Sequence, residues 1–131
     1  MKRIEKSEAA WRERLSDQAY RVCREKGTER AFSGDYWETK APGDYVCVCC
    51  ETRLFSSTDK FDSGTGWPSF TKPVDAAHVA TETDGALFMT RTEVLCAACD
   101  AHLGHVFDDG PAPENKRYFI NSISLKLVPS K

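Results

Sequence analysis

Two cysteine pairs of identical spacing carry the most specific chemistry in the chain. They are Cys47-x-x-Cys50 in CVCC and Cys96-x-x-Cys99 in CAAC, with residues 51–95 between them. A CxxC turn lets two thiolates converge on one cation, and two such turns supply the four sulfurs of a closed tetrahedral zinc site. A closed set leaves no open coordination position, so a metal here is expected to hold the fold rather than to catalyse. The other uses of four cysteines are disulfides and a rubredoxin-like iron site. The long gap between the pairs predicts that the site joins distant parts of the chain instead of forming a self-contained finger. CVCC also contains Cys49. Pairing Cys47 with Cys49 gives the less usual C-x-C, so Cys47 and Cys50 are the expected ligands, and Cys49 and Cys23 are spare. Cys23 reads either as a small hydrophobe on a helix face or as a redox thiol.

A second constellation is aromatic and basic. DSGTGWPSF holds Trp67 between Gly66 and Pro68, which restricts the backbone around the indole. Such a Trp serves either as a rigid binding wall or as a core plug. In CDAHLGHVFDDG, His102 and His105 flank Leu103 and Gly104, just after the second cysteine pair. They read as zinc ligands, as structural histidines, or as proton donors and acceptors beside a substrate. KRYFINSISLKL, residues 116–127, alternates apolar and polar side chains and predicts a strand from Tyr118 to Leu127.

The elements that must position these groups follow from local signals. Residues 7–26 predict two short helices. Ser7 caps the first, which carries Trp11 and Leu15. Ser16 caps the second, residues 17–26, which carries Ala19, Tyr20, Val22 and Cys23 and ends at Gly27. Phe32 to Gly43 predicts loop with extended pieces. From residue 44 to 128 the signals are short strands: Asp44–Val48, Phe61–Asp62, Val79–Thr81, Ala86–Glu93, His105–Phe107 and Tyr118–Leu127. The turn clusters SSTDK, DSGTG, TDG and DDGPAPEN separate them. This pattern predicts a mostly antiparallel β domain with short N-terminal helices, an α+β arrangement, as one domain over residues 1–131.

Composition sets outer bounds. The chain has 131 residues, 40% hydrophobic and 29% charged, with a formal charge of −2. No basic stripe points to nucleic acid, and no apolar run reaches the length of a membrane span. MKRIEKSEAAW starts basic but carries no apolar stretch, so the reading predicts no signal peptide and a cytoplasmic chain. In a reducing compartment cysteines bind metal or do redox chemistry more often than they form disulfides. The mixed, nearly neutral surface predicts a monomer.

Taken together, GTERAFSG (27–34), the two CxxC pairs, FDSGTGWPSF (61–70), RTEV (91–94), HLGHVF (102–107) and RYFINSISL (117–125) resemble the methionine-R-sulfoxide reductases of the B type, in register over residues 10–128. The resemblance implies two antiparallel sheets forming a tent or open barrel, pinned by one structural Zn2+ on the far side from the active site. It implies reduction of methionine R-sulfoxide in proteins to methionine, with thioredoxin as reductant. In such proteins a cysteine attacks the sulfoxide sulfur, methionine leaves, and a second thiol resolves the enzyme's sulfenic acid to a disulfide. By position, Trp67 and Phe107 would contact the substrate, His102 and His105 would assist proton transfer, and Asn121 would hydrogen-bond in the same site. Where the family motif has its attacking cysteine this chain has Phe119, and at the common resolving position it has Thr65. Two alternatives follow: Cys23 as a replacement thiol, or a non-catalytic aromatic-cage binding module in which Phe119 and Trp67 enclose an apolar or cationic group.

Overall fold

The computed structural model describes residues 3–86 and 89–129. Both helices start where their caps predict. Helix α1 (Glu8–Arg14) begins with Ser7 Oγ accepting from Ala10 N at 3.2 Å, and α2 (Asp17–Glu25) with Ser16 Oγ accepting from Ala19 N at 3.1 Å. Each cap satisfies one backbone N–H that the first turn leaves without a partner. The end of α2 differs from expectation by one residue. Lys26, not Gly27, takes the left-handed conformation (φ 58°), and Gly27 N then donates back to Arg21 O at 3.0 Å. The turn carries Lys26 toward the sheet, where its Nζ reaches Glu93 Oε1 at 3.2 Å. The buried face of α2 is Ala19, Tyr20, Val22 and Cys23, as the 3.6-residue spacing predicts.

All strand pairings are antiparallel. Strands β1 (Gly43–Cys47), β2 (Arg53–Ser56) and β9 (Leu125–Pro129) form a three-stranded sheet in the order β2-β1-β9. Strands β3 (Lys60–Phe61), β4 (Ser69–Phe70), β5 (Val79–Ala86), β6 (Met89–Cys96), β7 (His102–Phe107) and β8 (Arg117–Ile120) form a six-stranded sheet in the order β3-β4-β8-β7-β6-β5. The two sheets are open, and among the described residues no closed barrel forms. Aromatic side chains of both fill the space between them. Phe55 of β2 stacks on Phe70 of β4 at 4.5 Å, and Tyr45 of β1 meets the same Phe70 edge-on at 5.2 Å. Each buried ring contributes about 2–3 kcal/mol of apolar burial.

Several expectations differ from the structure. The stretch Tyr118–Leu127 is not one strand. It breaks at Asn121 into β8 and β9, which belong to different sheets, with a 3-10 turn over Ser122–Ser124 between them. Alternation survived the break because both pieces are half-buried, so the pattern alone could not reveal it. The TDG cluster does not turn, because β5 runs through it to Ala86. The expected strand Ala86–Glu93 crosses residues 87–88, which lie outside the described residues. Strand β7 starts at His102 rather than His105. Strands β2 and β4 were not anticipated; β4 has only two residues, too few to show a period.

Candidate functional site

The two cysteine pairs fold into matching turns. Glu51 N donates to Cys47 O at 2.8 Å and Asp100 N to Cys96 O at 2.9 Å. Cys47 N donates to Thr52 O and Cys96 N to Ala101 O, at 2.8 and 2.9 Å. The residue after each pair, Glu51 or Asp100, has a left-handed backbone, with φ 65° and 64°. That kink aims both sulfurs of a pair to one side. The Sγ atoms of Cys47, Cys50, Cys96 and Cys99 lie within 4.8 Å of one another. Cys47 and Cys99 are 3.8 Å apart and Cys50 and Cys96 3.6 Å. Four sulfurs at the usual zinc–sulfur bond length sit about 3.8 Å apart at tetrahedral corners, so the cluster is compatible with zinc. Crowding sets the thiols against each other: Cys50 is drawn well below the ordinary thiol range, by Cys47 first, while Cys47 is pushed well above it, by Cys49 first. A divalent cation replaces these competing protons. The cluster joins β1 to the β6–β7 connection, and so ties one sheet to the other. An N-terminal strap covers it: Arg3 pairs with Asp100, and Ile4 N donates to Ala98 O at 2.7 Å.

The second centre lies on one face of the six-stranded sheet. Phe61, Ser69, Phe119, His105 and Glu93 are successive cross-strand partners, so their side chains share that face. His102 joins them through an irregularity. Residues three apart in a regular strand point to opposite faces. Here Gly104 pairs with Val94 and His102 with Leu95, so Leu103 is an extra residue on β7. This bulge re-phases the strand and brings His102 onto the face that carries His105. The two imidazoles are 5.5 Å apart, and both residues are buried. Gly104 is required between them, because a Cβ there would lie 2.0 Å from Phe119 O.

His102 Nδ1 donates to Glu93 Oε2 at 2.6 Å, deep in the fold, and Lys26 supports the other carboxylate oxygen. His102 Nε2 is buried with no protein hydrogen-bond partner. The Phe119 ring stacks on His105 at 5.7 Å and on Phe107 at 5.9 Å, and meets Trp67 edge-on at 5.1 Å. Trp67 Nε1 donates to Glu29 O at 3.0 Å, which fixes the indole. Gly66 (φ 88°) accepts from Phe32 N at 2.8 Å and allows the close approach of residues 31–32.

The structure therefore brings Trp67, His102, His105, Phe107 and Phe119 together. Asn121 sits just beyond β8 with its side-chain amide engaged by backbone: Oδ1 accepts from Glu29 N at 2.9 Å and Nδ2 donates to Leu103 O at 3.0 Å. It clamps the loop after α2 onto β7. Cys23 is buried elsewhere, with Sγ 3.5 Å from Ser124 Oγ and with Cys49 for a neighbour. Three residues with clear structural parts were given none from the sequence: Glu93, Lys26 and Glu29. Glu93 had a usable signal, being an acid in the middle of an otherwise β-forming run.

Fold and site together define a two-sheet β domain, pinned by a four-cysteine cluster, with a histidine–aromatic pocket on the larger sheet. Comparisons with known proteins agree. The SelR domain family model matches residues 15–129. The chloroplastic peptide methionine sulfoxide reductase B1 of rice is 64% identical over 118 residues, covering 89% of this chain and 55% of that protein. The peptide methionine sulfoxide reductase MsrB of Hahella chejuensis is 56% identical over 127 residues, 97% of this chain and 91% of that protein. MsrB of Pseudomonas aeruginosa PAO1 is 57% identical over 129 residues, 98% of each. The chain thus spans little more than half the rice relative and nearly all of the bacterial ones. It belongs to the peptide methionine sulfoxide reductase B family. Among the described residues, no helix is long and apolar enough to cross a membrane.

Proposed function

We propose that the chain acts on R-configured methionine sulfoxide in proteins and returns it to methionine, with thioredoxin as reductant and one structural Zn2+ on Cys47, Cys50, Cys96 and Cys99. We further assign it as a cytoplasmic, single-domain monomer. The observation that carries the reading is the bulge at Leu103, which sets His102 and His105 on one face beside position 119 and Trp67.

Each group then has a task. Trp67 and Phe107 supply the apolar wall for the substrate's methyl and methylene groups. The sulfoxide oxygen leaves as water, which takes two protons and two electrons. Glu93 orients His102, and the two imidazoles deliver protons to the oxygen. Two thiols supply the electrons: one sulfur attacks the sulfoxide sulfur, the S–O bond breaks to give methionine and a sulfenic acid, and the second thiol displaces water to form a disulfide. Phe119 has no lone pair that attacks sulfur, so residue 119 does not perform the first step. Cys23 Sγ lies buried against Ser124, away from any bound protein. In the chain as it stands, the attacking thiolate comes from the dithiol reductant, and turnover is slow. The metal's part is to lock β1 to the β6–β7 connection.

A second reading rests on the Phe119 ring itself. Trp67, His105 and Phe107 pack around it with centroids 5.1–5.9 Å away. A wall of four rings suits a binding module for apolar or cationic groups. One experiment separates the two. Purified chain is given the R and S forms of N-acetylmethionine sulfoxide, with dithiothreitol and separately with thioredoxin, and binding is followed by calorimetry. Turnover of the R form alone supports the reductase. Binding of the R form or of a trimethylated amine without turnover supports the module.

A further inference from the structure

The chain has six cysteines, all of them free thiols, but they are not equally reachable. Cys23, Cys47, Cys49, Cys96 and Cys99 are buried, at 2% exposure or less, and Cys50 alone is partly open to solvent. Oxidation of a cysteine depends on access to its sulfur. With a phenyl ring at residue 119, the most accessible thiol of this chain belongs to the four-cysteine cluster and not to the histidine–aromatic pocket.

The fold accounts for the asymmetry. Three successive carbonyls of the second cysteine turn are covered from distant parts of the chain. Arg3 Nη1 donates to Ala97 O at 2.7 Å, Ile4 N to Ala98 O at 2.7 Å, and Arg24 Nη1 to Cys99 O at 2.9 Å. In the first turn, Cys47 is sealed inside β1, opposite Leu125 of β9. Cys50 stands at the outer end of that turn, with Thr52 Oγ1 3.1 Å from its Sγ. The next residue, Glu51, is exposed and pairs at 3.7 Å with Lys126. The sulfur that faces Cys50 across the cluster is Cys96 Sγ, at 3.6 Å. A disulfide holds its sulfurs about 2.0 Å apart, so closing this pair takes a movement of about 1.6 Å. Cys50 follows β1 of the small sheet and Cys96 ends β6 of the large one, so a bond between them ties the same two sheets that the metal ties.

We propose that Cys50 is the point at which peroxide oxidises this protein, and that the product is a Cys50–Cys96 disulfide formed with release of the metal. The inference rests on the reading of the cluster as a zinc centre and adds a modification site to it. The Cys50 sulfur attacks one peroxide oxygen, an S–O bond forms, the O–O bond breaks and hydroxide leaves. The Cys96 sulfur then attacks the sulfenic sulfur, the S–S bond forms, the S–O bond breaks and a second hydroxide leaves. Two thiolates are oxidised and one peroxide is reduced to two hydroxides. The cation, left with Cys47 and Cys99, is released. The bridge takes over the link between the sheets, so the oxidised chain stays folded, and a dithiol reductant returns both sulfurs to the metal-binding form.

The test treats the zinc-loaded intact chain with hydrogen peroxide. Zinc release is followed with a chromogenic chelator, thiols are counted after denaturation, and disulfides are mapped by mass spectrometry without reduction. Release is expected to accompany the loss of two thiols per zinc, with Cys50–Cys96 as the first bridge. The melting temperature of the oxidised chain is expected to fall between those of the zinc-loaded and the chelator-stripped chains, and dithiothreitol with added zinc should restore the starting state. Cys50→His keeps a fourth ligand and removes the open sulfur. Loaded with zinc, it is expected to release the metal roughly tenfold more slowly under peroxide. A first bridge between any other pair, release without a disulfide, or release from Cys50→His at the parent's rate overturns the assignment; the bridge map in the parent chain decides it even if that variant does not fold. If the parent chain takes up no zinc, the reading of the cluster fails and this inference fails with it.

Discussion

The phenyl ring of Phe119 lies 5.7 Å from the imidazole of His105 and within 17° of parallel to it. The two residues are cross-strand partners, so the stack is built into the register of β7 and β8 and not into a loose side-chain arrangement. It places a ring where a small nucleophile would leave the imidazole face open.

Replacing that ring by a thiol is the most direct probe of the site. Phe119→Cys is expected to raise thioredoxin-dependent reduction of the R sulfoxide by at least roughly a hundredfold, since it adds an internal nucleophile. A sulfenic acid at residue 119 should then be trapped by dimedone and found by mass spectrometry. The change should also cost roughly 3 kcal/mol of stability through lost ring packing. A folded variant with the parent's rate and no trapped sulfenic acid would mean that the pocket does not present substrate to this position.

The Glu93 carboxylate is the buried partner of His102, with side-chain exposures of 3% and 4%. Glu93→Ala strands the imidazole Nδ1–H in a dry site. The expected loss is about 1–3 kcal/mol in urea denaturation, together with loss of R-sulfoxide turnover through misorientation of His102. Glu93→Gln keeps an acceptor and should cost less. Equal stability of all three chains would show that the bond carries no load.

Metal is expected at one ion per chain by plasma mass spectrometry, released together with the four thiols by a strong chelator. Removal should lower the melting temperature by roughly 10 °C or more, because the cluster links the two sheets and metal binding here is folding free energy. Cys96→Ser should do the same without chelator, while Cys49→Ser should keep the full metal content. Retention of the native melting temperature after metal loss would assign the cluster no structural part.

Legibility in the sequence followed the range of the signal. The helix caps at Ser7 and Ser16 were readable because capping is local, and the convergence of Cys47, Cys50, Cys96 and Cys99 was readable because two identical CxxC turns leave few other uses. Trp67 was marked by its Gly and Pro neighbours. The bulge at Leu103 was invisible, since it exists only in the pairing of β7 with β6, and without it the spacing of His102 and His105 argues against a shared face. The split at Asn121 was invisible for the same reason: β8 and β9 part company because they pair with different neighbours. The Lys26 turn escaped because Gly27 looked the cheaper left-handed residue, whereas it is Lys26 whose side chain reaches Glu93.

Glu29 gives the chain a pH dependence of definite sign. Its carboxyl is buried beside Gly34 and Ser122, with Oε1 accepting from Ile123 N at 2.9 Å and Oε2 without a hydrogen-bond partner. Burial raises its pKa above the ordinary value of 4.5, more than the backbone donors lower it. The folded state therefore holds this proton more tightly than the unfolded state. Where the folded carboxyl remains protonated and the unfolded one is ionised, folding stability falls as pH rises, and the loss is complete above the raised folded value. Glu29→Gln mimics the protonated form and keeps the acceptor for Ile123. Urea midpoints of the two chains are expected to agree near pH 4.5 and to diverge toward pH 7, with the variant the more stable. A difference that stays constant across that range would mean that Glu29 ionises alike in both states.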